Sequence, residues 1–173
     1  MNSRVRLLFC ALISAFAMIS SSSAAPLNVG AQAPLVSATT QNGDTLSLGD
    51  VYKKQRYTLV YFYPRADTPG CTTQGCSLRD AYAELTDKGV AVIGVSNDNV
   101  AAQKAFRDKY KLPFTLLADT DFTVIRAFGQ EGIKAAKRQA YLVRDGKIVY
   151  ADHKGSTSQQ ASDILNFIAT DNP

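Results

Sequence analysis

Hydrophobic and polar positions along this chain follow two alternating periods. Residues 57–63, Tyr-Thr-Leu-Val-Tyr-Phe-Tyr, form a nearly unbroken aromatic and β-branched run, the mark of a strand covered on both faces. Pro64 ends it. From Thr68-Pro69 a helical spacing takes over: Pro69 suits a first helical turn, and Leu78, Tyr82 and Leu85 share one side before Gly89 stops the segment. Residues 90–96 read as a second buried strand, 101–111 as a helix, 114–118 as a strand and 122–128 as a short helix closed by Gly129. Residues 139–144 and 147–151 flank Asp145-Gly146, a strong two-residue hairpin signal. A last amphipathic helix is expected over 158–169, with Ile164, Leu165 and Ile168 as its apolar contacts. Before all of these, 25–40 reads as an extended lead-in, and dense structure is expected only after the Asn42-Gly43-Asp44 turn.

The predicted order is strand, helix, strand, helix, strand, short helix, hairpin, helix. Alternation followed by a hairpin implies an α/β chain with a central mixed sheet and helices on both faces, the plan of the thioredoxin-like fold. Such an order does not by itself identify a function.

The first 24 residues belong to a different pattern. Arg4 and Arg6 precede an apolar run from Leu7 to Ile19, followed by small residues, the order of parts in a secretory signal peptide. The run is short for a membrane span. Cleavage is expected after Ala24, since a cut one residue later would leave Pro26 just past the bond. A lipoprotein reading of Leu7-Leu8-Phe9-Cys10 fits less well, because Phe9 is bulky beside the cysteine and the apolar run would be cut in half. Removal of 24 from 173 residues leaves 149 (25–173), a natural size for one domain. Loss of Arg4 and Arg6 takes the 19 basic residues to 17 against 15 acidic ones. A charge near +2, evenly spread, argues against a nucleic-acid partner or, after removal of the leader, a membrane surface. Export, to the periplasm of a bacterium with two membranes, is the expected destination.

Cys10 leaves with the leader, so the chemistry rests on Cys71 and Cys76 in an oxidising compartment. A purely structural disulfide would enclose few residues and restrain little unfolded-chain entropy. The segment 63–79, YPRADTPGCTTQGCSLR, instead puts Cys71 in the first turn of a helix, where free N–H groups and the helix dipole favour thiolate over thiol. Pro64 and Pro69 stiffen the approach, Gly70 removes bulk beside the sulfur, and Thr68 offers a hydroxyl.

These residues resemble a known family. Pro64-x-x-x-Thr68-x-x-Cys71 is similar to the active-site signature of peroxiredoxins, and Thr-Pro-Gly-Cys-Thr-x-Gln-x-Cys resembles the bacterioferritin-comigratory or peroxiredoxin Q branch. The likeness continues through Phe114-Thr-Leu-Leu-Ala-Asp119, Phe128-Gly129 and the strand after Arg138. It implies that Cys71 is the peroxidatic cysteine, which attacks a hydroperoxide and becomes a sulfenic acid. By the same resemblance Thr68 and the Cys71 N–H orient the peroxide, Arg138 stabilises charge at the sulfur, Pro64 shields it, and Cys76 resolves the sulfenic acid to an intramolecular disulfide. A thioredoxin or thioredoxin-like reductant and a monomer are implied as well; no cofactor is expected, and no metal, since two cysteines five apart and one distant histidine do not match zinc spacing. The chain departs from the pattern at Gln139-Ala140-Tyr141, where relatives carry a hydroxyl residue and then phenylalanine, so hydrogen bonding beside Arg138 is expected to differ.

Each of these residues also has a plainer reading. Thr68 alone would be a helix cap, Pro64 a strand stop, and Arg138 part of a solvated basic cluster with Lys134 and Lys137. His153, the sole histidine, reads as an exposed strand-end residue rather than a partner of a cysteine. Asp119-Thr-Asp121 reads as a turn and helix cap rather than a cation site. The rival activity is a thioredoxin-like thiol–disulfide oxidoreductase acting on proteins, but that chemistry uses Cys-x-x-Cys, and here four residues intervene.

The implied disulfide has a geometric consequence. Five residues of regular helix hold two Cα atoms about 8.7 Å apart and about 140° around the axis, whereas a disulfide wants less than about 7 Å. The helix must open to close the bond, and Gly75 eases that, since glycine weakens a helix by roughly 1 kcal/mol relative to alanine. Oxidation is therefore predicted to shift the amide resonances of residues 70 to 78, and identical spectra for the two redox states would exclude it.

Overall fold

The structure, a computed structural model, describes residues 25–171; the predicted leader, 1–24, lies outside the described residues. Its frame is the pair of parallel strands β3 (Tyr57–Phe62) and β4 (Val90–Ser96), both almost wholly buried. On β4's far side lies parallel β5 (Thr115–Ala118). On β3's far side lies antiparallel β6 (Gln139–Arg144), followed by β7 (Lys147–Asp152). The turn joining β6 to β7 places Asp145 at φ 51° and Gly146 at φ 72°, the left-handed pair that a tight hairpin requires.

One strand stands where the pattern predicts only an extended lead-in, and a second strand and a helix follow the turn, where dense structure is expected but the pattern marks no particular element. Strands β1 (Ser37–Thr40) and β2 (Thr45–Ser47) pair around Asn42-Gly43-Asp44, and β1 also pairs with β5. They complete a seven-stranded sheet in the order β2-β1-β5-β4-β3-β6-β7. Helix α1 (Leu48–Lys54) follows, capped by the Ser47 hydroxyl, which accepts from the Asp50 N–H. These elements are short and lie at a sheet edge, so their side chains carry little of the alternation that marks a strand.

A second correction concerns the helix expected to run unbroken to Gly89. It divides at Ala81 (φ −96°, ψ 8°) into α2 (Pro69–Asp80) and α3 (Tyr82–Asp87). The remaining helices, α4 (Val100–Tyr110), α5 (Thr123–Ala127) and α6 (Gln160–Thr170), stand within two residues of their expected bounds. Asp119 and Asp121 do cap α5: the Asp119 carboxylate accepts from the Val124 and Ile125 N–H groups at 3.0 and 2.8 Å, and Asp121 from that of Thr123. Burial pushes the Asp119 carboxyl up, and those backbone donors pull it part of the way back.

Strand β3 divides the core by its pleat. Tyr57, Leu59 and Tyr61, with Tyr63 just beyond, face one cluster with Cys71, Leu78, Leu85, Phe106 and Ile164, which α2, α3, α4 and α6 supply. Val60 and Phe62 face the other, with Leu48 and Tyr52 of α1 and Val124 and Ile125 of α5. Helices therefore cover both faces, and each fully buried large side chain contributes about 1.5–3 kcal/mol. No helix of the described residues is long and apolar enough to cross a membrane.

Candidate active site around Cys71

Strand β3 delivers the chain to the site, and two carboxylates fix the loop that follows. The Tyr63 N–H still reaches the Val95 carbonyl at 3.1 Å, so Pro64, half-buried, begins the departure from the sheet. Asp98 accepts from the Ala66 N–H at 2.7 Å and from the Ser96 hydroxyl at 2.7 Å. Asp67 stands in the left-handed region at φ 58°. Its carboxylate accepts from Lys109 Nζ at 2.8 Å and from the Tyr110 hydroxyl at 2.6 Å. The Lys109 ammonium, aided by the Tyr110 hydroxyl, holds the Asp67 carboxyl below the usual carboxylate range.

Thr68 occupies the N-cap of α2 in extended conformation, yet its side chain does not cap the helix. Its hydroxyl donates backwards to the Arg65 carbonyl at 3.0 Å, which leaves the oxygen's acceptor capacity open. The plain capping role therefore fails for this side chain. Cys71, the third residue of α2, is 1% exposed.

Arg138 reaches Cys71 from the neighbouring strand. Register pairs Phe62 with Gln139, so Arg138, one residue earlier on an antiparallel partner, lies beside the exit of β3. Its Nη2 stands 3.3 Å from Cys71 Sγ, while Nη1 donates to Gln74 Oε1 at 2.6 Å and to the Gly70 carbonyl at 3.4 Å. Lys134 and Lys137 are exposed, Lys137 pairing with Glu131 at 3.8 Å; Arg138 does not share their solvated setting. Two glycines admit it. A Cβ on Gly70 would stand 3.1 Å from Arg138 Nη2, and one on Gly155 only 2.3 Å from Arg138 Cγ. Tyr141 donates its hydroxyl to Gln139 Oε1 at 2.8 Å, which ties the first residues after Arg138 to one another.

Cys76 lies on the same helix, half-buried, and both cysteines are free thiols. The structure thus brings Arg138 against Cys71, with Thr68 at the start and Cys76 further along the same helix and Pro64 at the exit of β3. Gln74 and Gln160 extend the contacts of Arg138: Gln74 Nε2 donates to Gln160 Oε1 at 2.9 Å, and both side chains are fully buried. Gln74 was visible only as a letter of the motif, and Gln160, 86 positions later, carries no sequence signal. His153 is exposed, its Nε2 2.9 Å from the Leu27 carbonyl. Among the described residues no three His, Cys, Asp or Glu side chains gather as metal ligands.

Beneath the sulfur lies an aromatic bed. Tyr61 and Tyr63 stack with ring centres 5.5 Å apart, and the Tyr63 hydroxyl donates to Gln103 Oε1. Burial, with the neighbouring Tyr63, Cys71 and Cys76, pushes the Tyr61 phenol far above its usual range. Burial does the same to Tyr63, against the hydrogen bonds of Ser96 and Gln103. Both are held neutral. The only cation within hydrogen-bond reach of Cys71 among the described residues is Arg138, which can stabilise a sulfur anion and a negatively polarised oxygen beside it.

Comparison with known proteins agrees with that chemistry. Residues 29–151 match the model of the AhpC/TSA family. A peroxiredoxin Bcp of Coxiella burnetii is 46% identical over 133 residues, 72% of this chain and 87% of the relative. That of Escherichia coli K12 is 40% identical over 152 residues, 83% and 96% of the two chains. The chain belongs to the AhpC/TSA family. It is a peroxiredoxin of the Bcp and Q branch and, as such, a thiol-dependent peroxidase. Among solved structures, the Xanthomonas campestris bacterioferritin comigratory protein, described for its alkyl peroxide reduction, has 26% identity and a TM-score of 0.72, covering 83% of this peroxiredoxin and 96% of that chain. The BcpB peroxidoxin of Mycobacterium tuberculosis, at 24% identity and TM-score 0.78 over 85% and 99%, shares the fold.

Gly155 offers a test of how tightly Arg138 is held. At φ +64° a side chain costs about 1–2 kcal/mol, and its Cβ would displace the arginine stem. Gly155→Ala is predicted to lose more stability than that in urea unfolding, because its Cβ would also stand 2.7 Å from the Arg138 carbonyl oxygen, and to slow alkylation of Cys71 by iodoacetamide about tenfold or more. Alkylation at the parent rate in the folded variant would sink the idea.

Proposed function

We propose that Cys71 is the peroxidatic cysteine of this peroxidase and Cys76 its resolving cysteine; the observation that carries the assignment is the Arg138 guanidinium 3.3 Å from Cys71 Sγ. The thiolate attacks the terminal oxygen of a hydroperoxide, the O–O bond breaks, and water or an alcohol leaves with a proton, so that sulfur is oxidised to the sulfenic acid and the peroxide reduced. Thr68, through its free acceptor capacity, and the Cys71 N–H, which the Thr68 side chain leaves uncapped, orient the peroxide. Arg138 stabilises the thiolate and then the departing oxygen, and Pro64 keeps bulk water from the sulfur. Cys76 next attacks Cys71 Sγ, the S–O bond breaks, and hydroxide leaves as water with the Cys76 proton.

A dithiol reductant, thioredoxin or a thioredoxin-like protein, then restores both thiols by exchange and leaves as its own disulfide. Hydrogen peroxide and organic hydroperoxides are both substrates in this reading, the latter supported by the alkyl peroxide reduction described for the Xanthomonas protein. The enzyme acts as a monomer, one domain over 25–173 after a signal peptide of 24 residues, in the periplasm; the basic, apolar and small-residue order of residues 1–24 supports export.

One equivalent of hydrogen peroxide is expected to consume both thiols of the reduced, leaderless protein within about a second, far faster than an ordinary cysteine with its small thiolate fraction. Intact mass should fall by two hydrogens, Cys71→Ser should abolish the change, and Cys76→Ser should stop at a sulfenic or over-oxidised product. Thiols that survive for minutes would refute the assignment. Export has its own check: a mature chain beginning at Ala25 should appear in the periplasmic fraction, and an intact chain confined to the cytoplasm would overturn it.

A further inference from the structure

The amide pair Gln74–Gln160 ties the last helix to the cysteine. Polarity fixes how its amides face. A guanidinium only donates, so the Gln74 oxygen must face Arg138 Nη1, its nitrogen must face Gln160 Oε1, and the Gln160 nitrogen is what remains. That nitrogen is buried and has no hydrogen-bond partner. A site chosen for packing alone would be better served by an aliphatic side chain, which leaves no donor stranded. An amide is kept there at a cost, and the one hydrogen bond it makes with another side chain is to the residue that steadies Arg138.

Position along α2 adds a second consequence. Gln74 lies between Cys71 and Cys76, in the segment that must leave the helix before the two sulfurs can join. Unwinding it removes Gln74 from both Arg138 and Gln160. The adjoining turn is tied to the same end of α6, with Ser77 Oγ donating to the Ser158 carbonyl at 3.1 Å and accepting from the Ala161 N–H at 3.4 Å.

We propose that Gln160, in the first turn of α6, is a positioning residue for the peroxidase reaction: through Gln74 it holds Arg138 against the Cys71 sulfur and keeps the Cys71–Cys76 segment helical until the sulfur has been oxidised. The proposal rests on the roles assigned above to Cys71 and Cys76. Gln160 touches neither the sulfur nor the peroxide in this scheme; it sets the geometry of the group that does. Its loss weakens the first step and, by loosening α2, favours the second.

The two steps separate by variant. In a Cys76→Ser background, Gln160→Leu is expected to slow sulfenic acid formation about tenfold or more and to move the ultraviolet thiolate transition of Cys71 to higher pH. Gln160→Glu, whose carboxyl still accepts from Gln74, should restore both to within about twofold, a margin that corresponds to a near-parent geometry. With Cys76 present, Gln160→Leu should yield more disulfide and less sulfinic acid than the parent at equal peroxide excess. Gln160→Met, of similar length and volume, replaces the leucine variant if that chain does not fold. A folded leucine or methionine variant with parent rate, parent thiolate transition and parent product ratio would show Gln160 to be packing alone. A parent protein whose Cys71 resists peroxide would overturn the assignment of Cys71, and this proposal with it, before any Gln160 variant is compared.

Discussion

The Cys71 sulfur, shut away from water, meets a positive group within hydrogen-bond reach, and that group comes from the residue that leads into another strand. Removing a charged group from water is costly unless something replaces the lost hydration. Cys71, 1% exposed, has the N-terminal turn of α2 on one side and Arg138 at 3.3 Å on the other. Much of the surrounding structure serves this meeting. The antiparallel register of β3 and β6 brings the exit of one strand to the entry of the other. Gly70 and Gly155 clear a path for the guanidinium, and Asp152, accepting from the Lys154, Gly155 and Ser156 N–H groups, holds the loop that packs on it.

The same helix must be firm for one step and yielding for the next. Firmness comes from outside α2, through the hydrogen bonds that join Gln74 and Ser77 to Gln160 and Ala161 of α6 and Arg79 to the Tyr110 carbonyl. Yielding is built into its own sequence. A Cβ on Gly75 would meet Leu112 at 3.5 Å and Phe106 at 3.6 Å, ordinary van der Waals contact. Space therefore does not demand glycine at that position, and its effect is on the helix itself, which it weakens between the two cysteines.

How much of this could be read along the chain depends on the range over which each feature is determined. Strands 57–62 and 90–96 were legible because burial on both faces forces a continuous apolar run, and the β6–β7 hairpin because Asp145-Gly146 supplies the positive φ values that its turn needs. Strand β1 was not, since its four residues, Ser-Ala-Thr-Thr, owe their extended form to partners on β2 and β5. The break at Ala81 likewise leaves the apolar spacing of Leu78, Tyr82 and Leu85 intact and so is silent in the pattern. Cys71, Thr68 and Pro64 were legible as a compact motif. Arg138 was recognisable through resemblance alone, its neighbours in sequence suggesting a solvated cluster, and Gln160 depends entirely on tertiary packing.

The loop ahead of Cys71 shows why the motif residues alone would not suffice. Thr68 stands at the N-cap but spends its hydroxyl hydrogen on Arg65, so it contributes nothing to the N-terminal N–H groups of α2. A helix start without its side-chain cap loses on the order of 1 kcal/mol, and a left-handed aspartate beside it is a further strain. What holds the loop instead is a pair of carboxylates from outside the motif's pattern: Asp98 on the Ala66 N–H, and Asp67 itself, gripped by Lys109 and Tyr110 at the end of α4. The helix is thus anchored one turn before its start rather than at its start. That displacement leaves the acceptor side of the Thr68 hydroxyl and the first N–H groups of α2 without a side-chain partner, one turn of helix from Cys71.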